Sequence, residues 1–222
     1  RKLLRPRLDL LARISALGIA PCVNQLSMMV VQIALNNVLT HYGKQSLYGP
    51  DIPLACVGVI TKVNSILIMI MVGLAQGAQP IVGFNYGAKN YTRVKETLKK
   101  NITAVVLISF FAFLSFQLLP RQITSIFGNG SKEYYDFASQ YFRVFLFFTF
   151  INGLQPIAAN FFTSIGKATK GLTVSVTRQL VFLLPLILIL PIFFGIDGVL
   201  YAGPIADFVA FVLTVVFLVQ QV

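Results

Sequence analysis

Lys62, Arg143 and Asp207 are ionisable side chains inside long apolar stretches of this sequence, and they are where chemistry would be sought. A carboxylate far from water is expensive and by default marks a proton or ion path. Asp207 lies nine residues past Gly198, where the last apolar stretch begins. At 1.5 Å per helical residue it sits ~13 Å along that helix, near the middle of a membrane. The alternative is a fixed ion pair with Lys62 or Arg143, both in the outer halves of their helices. The sequence leaves both readings open.

Amides form a second group. Gln25, Gln32 and Asn36 are spaced by seven and four, with Met28 and Met29 between them, so they share one helical face. That face should look into a bundle or a cavity, because amides facing lipid are costly. Such residues could bond neighbouring helices, or line a wall for varied amphiphiles, to which the Met29 thioether adapts. A short repeat carries more of the same chemistry: Gly77-Ala78-Gln79-Pro80-Ile81 returns as Gly153-Leu154-Gln155-Pro156-Ile157. Each proline removes a helical hydrogen bond and frees the carbonyl four residues back, that of Gln76 and that of Asn152. In hydrocarbon such a group needs a protein partner or a wet cavity. The candidate substrate-cavity residues are therefore Gln25, Met29, Gln32, Asn36, Gln76, Gln79, Asn152 and Gln155, with repair of two kinks as the alternative for the last four.

Enzymatic chemistry finds little to work with. His41 is the only histidine, which removes triads and zinc helices that need one. Asp207 is the single deep acid, so no intramembrane aspartyl pair exists. Cys22 and Cys56 lie in apolar segments without metal-ligand spacing. Neither catalysis, a metal nor a cofactor is expected; transport, or part of it, remains.

The elements that must position these residues are six apolar stretches, Ile14 to Leu39, Leu54 to Val82, Ile102 to Leu119, Phe137 to Ile165, Thr173 to Phe194 and Gly198 to Val222. Each can span a bilayer, which takes ~20 mostly apolar residues. Continuous runs of this kind are helical, since transmembrane strands would alternate. The fold class is thus all-α, a polytopic membrane bundle of six transmembrane helices. Basic residues alternate between its sides. Arg1, Lys2, Arg5, Arg7 and Arg13 precede the first span; Lys89, Arg93, Lys95, Lys99 and Lys100 follow the second; Lys167, Lys170 and Arg178 follow the fourth. Those thirteen face only Lys44, Arg121 and Lys132 on the other side. Because short cytoplasmic loops carry the excess of Lys and Arg, the N-terminus of this chain is expected in the cytoplasm, with Gly43 to Pro53, Arg121 to Asp136 (holding the Gly128-Asn129-Gly130 turn) and Gly195 to Gly198 outside. The formal charge of +11 therefore reports topology rather than a nucleic-acid partner. Charged residues make up 11% and apolar ones 56%, too few charges to solvate a globular surface. The chain opens at Arg1 inside a basic stretch, as expected of a segment of something longer.

The run Gly73-Leu74-Ala75-Gln76-Gly77-Ala78-Gln79-Pro80-Ile81-Val82-Gly83-Phe84-Asn85-Tyr86-Gly87-Ala88-Lys89-Asn90, continuing to Arg93-Val94, resembles the signature of the multidrug and toxic compound extrusion (MATE) family. Arg178-Gln179, Pro185 and Tyr201-Ala202-Gly203-Pro204-Ile205-Ala206-Asp207 resemble that family's end. The resemblance implies twelve helices in two six-helix lobes, and export of cationic or amphiphilic compounds in exchange for H⁺ or Na⁺. It makes residues 1–13 the end of the cytoplasmic inter-lobe linker and 14–222 the second lobe, of bacterial type, in the inner (plasma) membrane. The partners it implies are the lipid bilayer, an N-terminal six-helix lobe and small-molecule substrates. Some branches carry coupling carboxylates in the seventh and tenth helices; here the first span has only amides, and the fourth has no acid beyond Asp136. Two further readings compete: a lipid-linked saccharide flippase of the same superfamily, which would want a strongly basic cavity, and a non-transporting membrane scaffold.

Overall fold

Backbone polar groups in hydrocarbon must be satisfied within their own segment, and the apolar runs accordingly fold as helices. A computed structural model describes residues 8–128 and 130–220. Helix α1 (Leu8–Gly43) is followed by α2 (Asp51–Gly87), α3 (Tyr91–Leu118) and the short α4 (Pro120–Ser125). The fourth span is built from α5 (Lys132–Phe145), a single turn α6 (Thr149–Asn152) and α7 (Leu154–Ser164). The fifth runs through α8 (Ala168–Val176), a π-helical segment (Thr177–Leu183) and α9 (Leu184–Phe194), and the sixth is α10 (Ile196–Val219). Among the described residues, five helices are continuous and apolar enough to cross a membrane, and the α5–α7 span is a sixth, bent by 49°. Residues 8–13, expected in a linker, belong to α1; residues 1–7, 129 and 221–222 lie outside the described residues.

Local chemistry sets the ends. Asn90 caps α3 by accepting from the Arg93 N–H, and Ser131 caps α5 by accepting from that of Tyr134, satisfying donors that a helix start leaves free. Between α9 and α10 the chain turns on Gly195, whose φ of 60° suits glycine.

The core gathers where α5 is wrapped by α2 and α10. Phe137, Tyr141 and Phe142 are wholly buried there with Leu39, Val57, Ile60, Val199 and Leu200. Large apolar side chains such as Met69, Phe84 and Phe193 are instead exposed, as a lipid-facing surface requires.

The two copies of the repeat take different structures. Pro80 lies inside the continuous α2, whereas Pro156 falls in the first turn of α7, where its missing N–H has no intrahelical partner to lose. The fourth span breaks upstream of the proline, between Phe145 and Thr149 and again at Gly153. Gly153 packs against α2 and α3: a side chain there would strike Val105 Cγ1 and lie 2.7 Å from Ser109 Oγ and 3.2 Å from Met71 Sδ. Gly77 faces open space. Gly153→Val should therefore cost about 2 kcal/mol or more through overpacking, whereas Gly77→Ala should stay within about 0.5 kcal/mol. Unfolding titrations in mixed micelles would compare them, and equal midpoints for both variants would refute the packing role of Gly153.

Candidate functional site

A buried polar cluster forms around Asp207, eleven residues into α10 and only 2% exposed. Its helix face is small: Ala202, Gly203, Ala206 and Ala210 are all buried, which leaves room for neighbouring groups such as the Phe145 ring against Gly203. Into this gap reaches Arg178 from the π-helical segment. Its Nε donates to Asp207 Oδ1 at 2.8 Å and its Nη2 to the same oxygen at 2.5 Å. The other carboxylate oxygen accepts from Asn152 Nδ2 at 2.6 Å. One carboxylate thus joins the fourth, fifth and sixth spans, at α6, the π segment and α10.

Both partners sit on irregular backbone. Pro185 has no N–H to offer Val181, so an α-helical bond is lost there. The helix widens before it, and the Leu184 N–H bonds back to Gln179 O, five residues away. Asn152 ends the α6 turn, between the two breaks of the fourth span.

The expected ion pair therefore exists with a different cation. Lys62 and Arg143 are both exposed, on outer surfaces of α2 and α5. Arg143 borders an open cleft of ≈ 590 Å³ with Arg121, Asp136 and Gln140. Neither reaches Asp207. Near the start of the fifth apolar run, Arg178 counts by position as a loop residue, but that helix begins at Ala168 and places Arg178 well inside it, with its side chain 19% exposed. Its removal from the loop count leaves twelve basic residues against three. A lone cation inside an apolar run was the available signal.

The first-span amides are displayed outward. Ser27, Val31, Leu35, Val38 and Leu39 form the buried face of α1, while Gln25, Met29 and Asn36 are exposed and Gln32 half-buried, roughly a third of a turn away. The stripe faces away from the interior of this six-helix unit. Gln32 Nε2 donates to Asn36 Oδ1 at 3.0 Å within the helix, rather than across to a neighbour. Gln76 is exposed as well. Gln79 turns inward to line a cavity of ≈ 10 Å³ with Asn101, Ile157 and Ser164, about the size that holds one water. Gln155 Nε2 is buried without a hydrogen-bond partner, a donor available to water or a ligand. The eight predicted cavity residues thus divide between outward positions on α1 and α2, the inward Gln79, and the Asn152–Gln155 break.

Comparison with known proteins bears on the whole arrangement. A family model described as MatE matches residues 21–189. The multidrug export protein MepA of Staphylococcus aureus (strain MSSA476) is 22% identical over 206 residues, 93% of this chain and 44% of that protein. MepA of Staphylococcus haemolyticus (strain JCSC1435) is 22% identical over 203 residues, 91% and 43% respectively. Among solved structures, the MATE multidrug transporter DinF-BH, solved as a complex with a ligand, superposes with a TM-score of 0.83 and 33% identity, over 96% of this chain and 46% of that one. A MOP superfamily transporter from Pyrococcus furiosus gives a TM-score of 0.84 at 19% identity, over 97% and 47%, a likeness of fold. The chain spans less than half the length of each of these proteins.

Proposed function

Because this chain belongs to the MatE family, we propose that it is the second six-helix lobe of a multidrug exporter that exchanges amphiphilic or cationic compounds for H⁺ or Na⁺ by alternating access. What carries the reading is the 33% identity along nearly the whole chain to one half of a MATE multidrug transporter. The role is transport without a covalent step, and no cofactor is required beyond the coupling ion. Substrate meets the lobe on the face of Gln25, Met29, Gln32, Asn36 and Gln76, with Gln155 supplying a free donor at the break. The deeply embedded cation noted above, Arg178, is already neutralised by Asp207. Such a wall suits lipophilic cations better than the anionic head of a lipid-linked saccharide. Cells expressing the complete gene should accumulate less ethidium, a fluorescent lipophilic cation, than cells lacking it, and collapsing the proton or sodium gradient should abolish the difference. Equal accumulation across several lipophilic cations would refute export.

The remaining charge asymmetry supports a plasma-membrane orientation with the N-terminus of this chain cytoplasmic. Single cysteines replacing Lys95 and Lys170 should react with an impermeant maleimide only from the cytoplasmic side, and one replacing Ser131 only from outside. Reversed labelling would overturn the orientation.

A further inference from the structure

The ion pair at Asp207 joins three spans, and its two partners come from the two most irregular stretches of the bundle. A pair serving only as glue could be placed on straight helices. Here Arg178 lies in the first turn of a seven-residue π-helical segment, and Asn152 sits between two breaks of a span bent by 49°. Both stretches have a nearby alternative. Closing one π turn to α geometry shifts every residue beyond it by one position, ~1.5 Å along and ~100° around the axis. The bend between α5 and α7 can likewise open by straightening the Leu146–Phe148 link. Asp207 itself stands on α10, which runs unbroken from Ile196 to Val219 even through Pro204 and buries the small residues around Asp207.

We propose that Arg178 and Asn152 are positioning residues that clasp Asp207 to hold the π segment and the α6 break in one of two arrangements, and that this clasp opens and closes in each transport cycle. This rests on the exporter reading. With the clasp closed, three donors occupy both carboxylate oxygens and fix the two irregular stretches to α10. When it opens, Arg178 and Asn152 leave with their own segments, which can then change pitch and bend. The charges matter because they make the closed state specific to one register: a guanidinium displaced by one residue loses both of its bonds to Oδ1. Apolar residues of the same bulk would accept either register and lose that definition.

The test uses the complete transporter in proteoliposomes, with ethidium as the probe. The paired variant R178M/D207L removes both charges together, which leaves no bare buried ion and is commonly tolerated by the fold. It should melt within a few degrees of the parent, while kcat for ethidium falls about tenfold or more and KM changes less than about twofold. R178K, which retains the charge but lacks the planar fork, should fall between them. A folded R178M/D207L protein with parental kcat would overturn the clasp and reduce the pair to glue. Should the paired variant fail to fold, spin labels decide on the otherwise unaltered protein. Placed at Val181 and Tyr201, 57% and 46% exposed, they should report two distance populations whose ratio changes with ethidium or with the ion gradient. A single distance unchanged in all conditions overturns the proposal. Absence of ethidium flux in the parent protein would count against the exporter reading instead, leaving the label distances to judge the clasp.

Discussion

Asp207→Asn should weaken the fold of this lobe as well as its activity, by about 3 kcal/mol, the usual scale for removing one partner of a buried pair. Asparagine matches aspartate in size, so packing among Ala206, Ala210 and Gly203 is preserved and the charge is the variable. Two consequences follow from the observed bonds. Arg178, with its side chain 19% exposed, keeps a full positive charge in an apolar helix with no anion beside it. The new amide must also present a nitrogen to one neighbour; if its oxygen keeps the guanidinium, its N–H₂ group meets the Asn152 N–H₂ donor that previously served Oδ2. Asn152 can flip to offer its carbonyl, but no flip supplies the missing charge. Lys62→Met and Arg143→Met, at exposed positions, should each stay within about 0.5 kcal/mol. Combining Asp207→Leu with Arg178→Met should recover most of the loss, since no charge is then left bare. Unfolding titrations in mixed micelles distinguish these cases. An Asp207→Asn midpoint equal to the parent's would mean that Arg178 reaches water without its partner, and the ion pair would lose its structural importance.

The parts of this molecule legible in its sequence are those set by the bilayer. Long apolar runs leave one solution for the backbone, so six spans and their helical class follow from composition and length. Asp207 is legible for the same reason, being too far along an apolar run to reach water. What pairs with it is not, because partner choice depends on helix rotation and on which neighbours lie beside α10, and neither is encoded within one segment. Arg178 is hidden further by its position close to an end of its run, where a basic residue ordinarily reports topology. The repeat misleads in an instructive way. Gln79-Pro80 and Gln155-Pro156 look equivalent, yet Phe145 to Gly153 breaks the helix before the second proline is reached, and the site at Asn152 exists because of that break. The α1 stripe is recognisable as a shared face, but its direction relative to the other five helices becomes visible only once Val31, Leu35 and Leu39 are seen to bury the adjacent face.

That direction underlies the second large expectation, that residues 1–222 alone do not move substrate. Alternating access needs two units that rock around a shared site, and six helices supply one unit and one wall. On the exporter reading the exposed amides of Gln25, Asn36 and Gln76 belong to that wall, because facing hydrocarbon they would be costly and facing a second lobe they would line a wet cavity. With the clasp closed, the described residues of the lobe also offer little to load with a proton or sodium ion at depth. Its buried carboxylate already accepts three hydrogen bonds. A parallel pair of identical lobes could cover the amide faces, yet would bring only two copies of the same occupied carboxylate. Vesicles containing residues 1–222 should therefore show no substrate-driven proton or sodium flux above protein-free vesicles. Co-expression with a complementary N-terminal six-helix lobe should restore it. Coupled flux from the isolated chain would instead require Asp207 to bind the ion itself once its clasp opens, and a self-paired lobe would then have to be accepted as a complete transporter.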